Sequence, residues 1–348
     1  MKSCISISKT LAASTNTMPT FKVYKGSPEG IKESTTTKPD LSGDQVLVKI
    51  TASGLCGTDL HYKGADMVLG HEGIGVVKEI GPTVKRLHVG DRVGWGYEAN
   101  SCGLCEQCLT GNEDYCPDRE LYGLANPDLG SFAEAVVWRE AFLFRIPKSI
   151  SDVDAAPLMC GGATVWNALH KYGLTSTSTV GIIGVGGLGH LAIEFASKMG
   201  MRTIVLSSNA GKKEEAMKLG ASQFVVIQDR KETDTCGSKL DALLICSAVQ
   251  TDWDIYLPML KPRAIVFPLT VHFGDLRMPQ LPFLVAGLRI QGTIIASRSE
   301  INQMLDFAAE KDIKPITQQF PLNKKGIEES IKTLSEGKMR YRGVLVAH

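Results

Sequence analysis

The chain has 348 residues, a length that suits about two domains. It carries 38 basic and 37 acidic side chains, so its charge gives no reason to expect nucleic-acid binding or attachment to a membrane surface. No apolar run reaches the roughly 18 residues that span a bilayer. The nine cysteines are odd in number and occur without an export signal, which argues against a disulfide framework. We therefore expect metal-binding or reactive thiols and a small-molecule partner.

Residues 1–18 are polar and aperiodic, and we expect a disordered leader there. This stretch contains Lys2 and Lys9 but no acidic residue and no apolar core typical of a secretory signal. The expected location is therefore cytoplasmic, with an organellar address as the alternative.

The segment that follows, up to about residue 148, has an all-β pattern. Short β-branched or aromatic runs are separated by Gly, Pro and Asp, at 45–51, 75–80 and 132–138. This half is predicted to form a partly open barrel or a sandwich.

Beyond Pro147 the pattern changes to alternating strands and helices. Strands are predicted at 180–183, 202–206, 223–227, 242–246 and 265–268, with helices at 188–199 and 212–219. Such alternation predicts an α/β domain with a doubly wound parallel sheet. The tail is predicted to form helices at 300–311 and 324–337 and a last strand at 343–347.

A glycine-rich turn, Gly184-Val185-Gly186-Gly187-Leu188-Gly189, joins the first of these strands to its helix. Gly184 permits the tight turn, Gly186 lets backbone amides approach a pyrophosphate, and Gly189 allows close packing of helix and strand. The anion would lie at the helix N-terminus. Since strand, turn, helix and second strand are all present, the turn predicts dinucleotide binding.

The second strand lacks the acidic residue that would hold the ribose hydroxyls of NAD. It leads instead into Ser207 and Ser208, with Lys212 and Lys213 nearby. Hydroxyl and ammonium donors favour a 2′-phosphate, so NADP(H) is the predicted cofactor. The alternative is that the two lysines only begin an exposed helix.

Four cysteines, Cys102, Cys105, Cys108 and Cys116, have the spacing C-x2-C-x2-C-x7-C. Four close thiolates can enclose Zn²⁺ tetrahedrally with no open position, which is typical of a structural site. An iron–sulfur cluster is the main alternative, although its runs end with a shorter gap. Two disulfides are a further alternative.

A second set of soft ligands is dispersed along the chain, at Cys56, His71 and Cys160. Each alone is more often a packed side chain than a ligand. Three protein ligands together would leave a zinc ion one open position for water or substrate. Cys160 lies at the junction of the two halves, where a ligand facing a nicotinamide would have to be.

From about Pro19 to the C-terminus the chain resembles zinc-dependent alcohol dehydrogenases of the medium-chain dehydrogenase/reductase superfamily. The zinc signature of that family is matched by Gly70-His71-Glu72, Gly75, Gly81 and Val84. The chain is most similar to the cinnamyl alcohol dehydrogenase-like, NADP-dependent branch. The stretches that support this branch are 160–165, 187–190, 213–216 and 304–311.

The resemblance implies a role for each matching residue. Cys56, His71 and Cys160 would bind a catalytic zinc, with Glu72 beside the metal and Asp59 behind His71. Thr58 and His61 would relay the proton. Cofactor contacts would come from Thr164, Gly184, Gly186, Gly187, Leu188, Gly189, Ser207, Ser208, Lys212, Ser247, Thr293, Ile294 and Ile295.

The implied fold is a GroES-like catalytic β-barrel domain at 19–162, with a zinc lobe at 102–116, and a Rossmann domain at 163–295. Residues 296–348 would return to the catalytic domain. Two zinc ions per chain and a homodimer or homotetramer are implied as well. Trp95 would line the substrate pocket or, alternatively, pack in the core. The stretch 62–70 is shorter than is usual in the family, so the pocket is expected to be reshaped.

The expected function is hydride transfer between NADP(H) and an alcohol and its aldehyde or ketone, with the enzyme acting as a reductase. One alternative is NADPH-dependent reduction of a C=N or conjugated C=C bond on the same fold. The presence of both Thr58 and His61 favours carbonyl chemistry. Another alternative is a non-catalytic, zinc-stapled NADPH-binding protein.

Overall fold

The computed structural model describes residues 20–38, 40–227, 239–247 and 251–347. The expected leader lies outside these residues, as do Cys4 and Cys236. Within the described ranges no helix is long and apolar enough to cross a bilayer.

The first half forms the predicted β structure. Its strands are β1 (Thr20–Lys25), β2 (Lys32–Thr37), β3 (Gln45–Leu55), β4 (Gly73–Ile80), β5 (Arg92–Trp95), β6 (Glu98–Asn100), β7 (Glu120–Leu121), β8 (Ala135–Arg139) and β9 (Phe144–Arg145). Two short helices interrupt them, α1 (Gly57–Tyr62) and α2 (Glu106–Leu109). β3 is the central strand, since it pairs antiparallel with both β4 and β8. The alternating apolar side chains of these strands fill a core of their own.

A continuous helical segment leads out of this half. It consists of α3 (Asp152–Pro157), a π-helical turn at Leu158–Gly162 and α4 (Ala163–His170). Ser151 begins α3 with an N-cap hydrogen bond from the Asp154 N–H, at 3.1 Å.

The second half is a parallel sheet with helices. Its elements are β10 (Thr179–Ile183), α5 (Gly189–Lys198), β11 (Arg202–Ser207), α6 (Lys213–Lys218), β12 (Gln223–Val226), β13 (Leu240–Ile245), α7 (Trp253–Tyr256), β14 (Leu260–Pro268), α8 (Gln280–Ala286) and β15 (Arg289–Ile290). The strand order is β12-β11-β10-β13-β14-β15, which is the doubly wound order with its crossover beside β10. This confirms the predicted Rossmann domain, and Cys246 packs against its core.

The last part of the chain contributes strands to the β half. It contains α9 (Arg298–Lys311), β16 (Thr317–Pro321), α10 (Lys324–Ser335) and β17 (Arg342–Val346). β17 pairs antiparallel with β3, so the C-terminal strand completes the β sheet of the first half. This pairing brings Arg342, at the start of β17, to the boundary between the two sheets.

Candidate active site and metal centres

Three separate segments bring the first group of metal-ligating side chains together. Cys56 precedes α1, His71 precedes β4, and Cys160 lies in the π-helical turn. Together with Glu72, their ligand atoms lie within 4.8 Å of one another, and the Cys56 and Cys160 sulfurs are 3.9 Å apart. The His71 Nε2 atom is buried and has no hydrogen-bond partner in the described parts of the chain. This donor set fits a zinc ion with three protein ligands.

Asp59 fixes the orientation of His71. The His71 Nδ1 atom lies 3.1 Å from Asp59 Oδ1, which also accepts a hydrogen bond from the Tyr122 hydroxyl at 3.1 Å. The Cys56 N–H donates to the other carboxylate oxygen at 2.9 Å. Asp59 thus holds Cys56 and His71 in one arrangement and leaves Nε2 of His71 facing the sulfurs.

The charges within the group favour a thiolate at Cys56, whereas the neighbouring Cys56 sulfur and burial raise the pKa of Cys160. The hydrogen bond with Cys160 lowers the pKa of Cys56 well below its usual value, in spite of burial. Burial opposes a charged imidazole, but Asp59 and Cys56 raise the pKa of His71 well above its ordinary value. The group therefore supports a thiolate at Cys56, the form in which cysteine binds metal.

Glu72 is fully buried next to these ligands and forms an ion pair with Arg342. Space for its side chain comes from Gly54, where an added Cβ would lie 1.9 Å from Glu72 Oε2. The Arg342 side chain also contacts Gly187 in the glycine-rich turn, where an added Cβ would lie 3.2 Å from its Cδ. Arg342 therefore joins the first metal-ligating group to the nucleotide turn.

The two residues predicted to relay a proton both lie on α1. The Thr58 hydroxyl is 3.7 Å from Cys56 Sγ, and His61 is exposed. Phe273, itself 82% exposed, contacts the His61 ring edge to face with centroids 4.8 Å apart. Thr58 therefore lies near the ligands and His61 near solvent, the order that a relay requires.

The four remaining predicted ligands form a lobe around α2. Cys102, Cys105, Cys108 and Cys116 also bring their sulfurs within 4.8 Å of one another. Hydrogen bonds from the Leu104 and Cys105 N–H groups, at 3.5 and 3.3 Å, lower the pKa of Cys102 to about 7. Four thiols with backbone donors around them fit a closed tetrahedral site.

The glycine-rich turn has the geometry of a phosphate-binding loop. Gly184 has φ +87°, and an added Cβ on Gly189 would lie 1.9 Å from the Gly184 carbonyl oxygen. Around Gly186 no atom lies within 4 Å of such a Cβ, so a ligand can approach the backbone there. The contacts of these glycines with a cofactor stay a prediction from the sequence.

Two protein-family models match the chain. Residues 42–148 match the model of the alcohol dehydrogenase GroES-like domain, and residues 187–310 match that of the zinc-binding dehydrogenase family. The chain belongs to the zinc-dependent alcohol dehydrogenases of the medium-chain dehydrogenase/reductase superfamily.

Relatives from this superfamily cover almost the whole chain. A probable formaldehyde dehydrogenase of Bacillus subtilis is 34% identical over 90% of this chain and 93% of its own. An NADP-dependent alcohol dehydrogenase of Mycolicibacterium smegmatis is 32% identical, over 94% and 98%. The solved cinnamyl alcohol dehydrogenase of Sorghum bicolor superposes with a TM-score of 0.85 at 31% identity, covering 94% and 98% of the two chains.

The residues predicted to contact the adenosine phosphate lie around the end of β11 and in the turn that follows it. The Ser207 hydroxyl donates to the Asn209 carbonyl at 3.0 Å, and Ser208 is exposed. The Lys212 ammonium group donates to the Val185 carbonyl at 2.6 Å and lies 4.8 Å from the centre of the Tyr341 ring. Lys212 is thus directed at the glycine-rich turn.

The other predicted cofactor residues line the boundary of the two domains. Thr164 is buried in α4, and Ser247 follows β13 beside Gly184. Thr293 accepts a hydrogen bond from Asn167 at 2.8 Å, and the segment continues through Ile294 to the buried Ile295.

The structure supports the core interpretation of Trp95. Its ring is fully buried, lies 5.8 Å from the Trp138 ring, and occupies the space that a Cβ on Gly73 would need. Trp95 therefore packs in the core.

The sequence analysis missed Arg342, Tyr341 and His190. The His190 Nδ1–H donates to the Gly186 carbonyl at 2.9 Å, and the ring stacks on Tyr341 with centroids 4.9 Å apart. Burial lowers the pKa of His190 to about 4, so the ring is neutral. The only clue in the sequence was the position of His190 after the glycines, while nothing local marks residues 341 and 342.

Proposed function

We propose that this alcohol dehydrogenase transfers a hydride between NADP(H) and an alcohol and its aldehyde or ketone, and acts mainly as a reductase. The observation that carries the proposal is the convergence of Cys56, His71 and Cys160, with His71 Nε2 free to bind metal, beside the glycine-rich turn. A zinc ion bound there would polarise the substrate oxygen, and the nicotinamide would supply or accept the hydride.

The residues of the chain supply the remaining tasks. Asp59 keeps His71 oriented, and the Arg342 ion pair holds Glu72 beside the ligands. Thr58 would exchange a proton with the substrate oxygen, and His61 would pass it to solvent. The four cysteines of the lobe would hold a second, structural zinc ion, giving two per chain.

A panel of substrates tests the reaction. Aldehydes, ketones, their alcohols, cyclic imines and conjugated enones are each incubated with the zinc-loaded enzyme, and NADPH is followed by its absorbance. We expect turnover of carbonyl compounds that exceeds alcohol oxidation at neutral pH. Turnover confined to imines or enones would favour the C=N or C=C alternative, and no turnover of any compound would favour a binding protein.

The preference for NADP(H) rests on the absence of a carboxylate after β11 and on Ser207, Ser208 and Lys212. In Ser207→Asp, the new negative charge should repel the 2′-phosphate and lower the NADPH-to-NADH ratio of kcat/KM by about 10-fold or more. Ser207→Ala, which adds no charge, serves as the control. An unchanged ratio in Ser207→Asp would contradict this cofactor assignment.

We also propose a homodimer or homotetramer assembled through residues 271–290 of the Rossmann domain. This region has an edge strand, β15, and a group of exposed apolar side chains: Val271, Phe273, Leu281, Leu284, Val285 and Ile290. Such patches are typical of protein interfaces. Val285→Asp should reduce the mass measured by light scattering to that of a monomer, and a wild-type monomer would contradict the proposal.

We also propose that the domains divide at 162/163 and 295/296 and that the protein is cytoplasmic. The two large sheets share no strand, which supports the division. The many free thiols suit a reducing compartment, which supports the location.

A further inference from the structure

We propose that the cysteine lobe positions the backbone segment 292–298 that would contact the nicotinamide, and that Glu113 is the residue through which it does so. This role rests on the proposed function, because it concerns the cofactor site. It goes beyond that function in giving the lobe a part in cofactor binding.

Glu113 begins a single helical turn, Glu113–Tyr115, that ends next to the ligand Cys116. Its side chain is only 3% exposed. The carboxylate oxygen Oε1 accepts two hydrogen bonds from Arg298, one from the backbone N–H at 2.7 Å and one from Nε at 2.9 Å. Buried, charge-assisted bonds of this kind are among the stronger polar contacts in proteins. Arg298 is thereby fixed in both its backbone and its side chain.

The next two residues of the turn contact the same region from other sides. The Tyr115 hydroxyl donates to the Gly292 carbonyl at 3.4 Å. Asp114 lies 3.9 Å from the Lys171 ammonium group, at the end of α4. The turn therefore contacts both ends of the segment 292–298 and the helix beside it.

The segment itself needs external support. Ile295, between the two contact points, has φ +44°, a left-handed conformation that a β-branched residue rarely adopts. Such a conformation costs about 1–3 kcal/mol and persists only where the surroundings hold it. Arg298 on one side and Gly292 on the other, both bonded to the lobe, supply that support.

The position of Glu113 depends in turn on the closed lobe. The Cys116 N–H donates to the Glu113 carbonyl at 2.8 Å, and the Cys102 N–H donates to Cys116 Sγ at 3.5 Å. The far side of the lobe packs little, since Leu104 is 81% and Leu109 72% exposed. Closure of the four thiols around a metal is therefore what keeps the turn in place.

The experiment compares two ligands in the zinc-loaded protein. NADPH occupies the whole cofactor site, whereas 2′,5′-ADP lacks the nicotinamide half, and both dissociation constants are measured by calorimetry. In Glu113→Ala we expect NADPH to bind about 10-fold or more weakly, with 2′,5′-ADP unchanged. Glu113→Gln, which can still accept the backbone hydrogen bond, should lie between Ala and the wild type.

Glu106, an exposed glutamate on the same lobe, provides the matched control. Glu106→Ala should change neither dissociation constant. The zinc content of Glu113→Ala, Glu113→Gln and Glu106→Ala should equal that of the wild type. Cys102→Ser, which opens the lobe, should reproduce the selective loss of NADPH affinity. A retained 2′,5′-ADP constant shows that each variant has a folded nucleotide domain.

Equal changes in both ligands, or none in Glu113→Ala, would overturn the positioning role while leaving the proposed function intact. If the wild-type protein binds NADH and 5′-AMP but neither NADPH nor 2′,5′-ADP, the experiment uses NADH and 5′-AMP. Glu113→Ala should then weaken the binding of NADH and leave that of 5′-AMP unchanged. Wild-type protein that binds none of the four ligands would overturn both the cofactor assignment and this role.

Discussion

The two metal-ligating groups differ in how the chain builds them. The lobe takes all four cysteines from residues 102–116 and surrounds them with its own backbone N–H groups. The other group draws Cys56, His71 and Cys160 from three separate segments of the chain. Local sequence is enough to close a site around a metal. A site that also receives a substrate needs partners from distant parts of the fold.

The carboxyl groups buried near the two metal-ligating groups differ in their partners. At the dispersed group, buried Glu72 is paired with buried Arg342. Beneath the lobe, Glu98 and Asp114 are buried with oxygens that have no hydrogen-bond partner among the described residues. Burial raises the pKa of all three carboxyl groups, but only Glu72 has a fully buried cation in contact with it that opposes the rise.

Replacement of one metal ligand in each group should give the largest difference in turnover between two variants. In Cys160→Ser we expect the loss of one zinc ion per chain and of turnover by about 10³-fold, because the hydroxyl is a poor zinc ligand. Metal analysis and kcat measure the two effects. Cys102→Ser should lose the lobe zinc instead and act on the cofactor KM more than on kcat. Unchanged turnover in Cys160→Ser would mean that another residue completes the dispersed group.

Breaking the buried ion pair should have the next largest effect. Arg342→Gln leaves Glu72 buried without its partner and should lower the free energy of unfolding by about 3–5 kcal/mol, measured by urea denaturation. Arg340→Gln removes a mostly exposed pair with Glu215 and should cost about 1 kcal/mol or less. Equal losses of unfolding free energy in Arg342→Gln and Arg340→Gln would show that burial does not strengthen the ion pair between Arg342 and Glu72.

The pH dependence of the acids under the lobe should give the smallest effect. Burial, together with Glu113 and Asp114, raises the pKa of Glu98 to about 8 from 4.5. The native state then holds one proton more than the unfolded state between these pH values, so the free energy of unfolding falls as pH rises through this window. Glu98→Gln should therefore be more stable than the wild type at pH 8, by about 1–2 kcal/mol, and equal to it near pH 4.

Denaturation of both proteins at the two pH values measures this difference. If the unfolding free energies of the wild type and Glu98→Gln differ by the same amount at both pH values, the burial of Glu98 does not affect its ionisation. Glu106→Gln, a change to an exposed glutamate, should leave the pH dependence of the wild type intact.

Periodicity and spacing predicted most of the architecture because they are local properties. The cysteine run, the glycine-rich turn and the strands of the parallel sheet all occur within short stretches, and each lies where it was expected. Arg342 could not be found in this way. It is separated from Glu72 by almost the whole chain, and its position depends on the pairing of β17 with β3. The sequence likewise could not decide between pocket and core for Trp95.

The helical segment from Asp152 to His170 has a consequence for protein engineering. It runs from the β domain into the Rossmann domain without a loop, and its π-helical turn carries Cys160. A π-helical turn contains one residue more than an α-helical turn, so the direction of the Cys160 side chain depends on the helix on both sides. A chimera that exchanges nucleotide domains should therefore keep 152–170 in one piece and place its junction in 171–178. A junction at 162/163 would join two unrelated half-helices two residues after Cys160, the proposed zinc ligand.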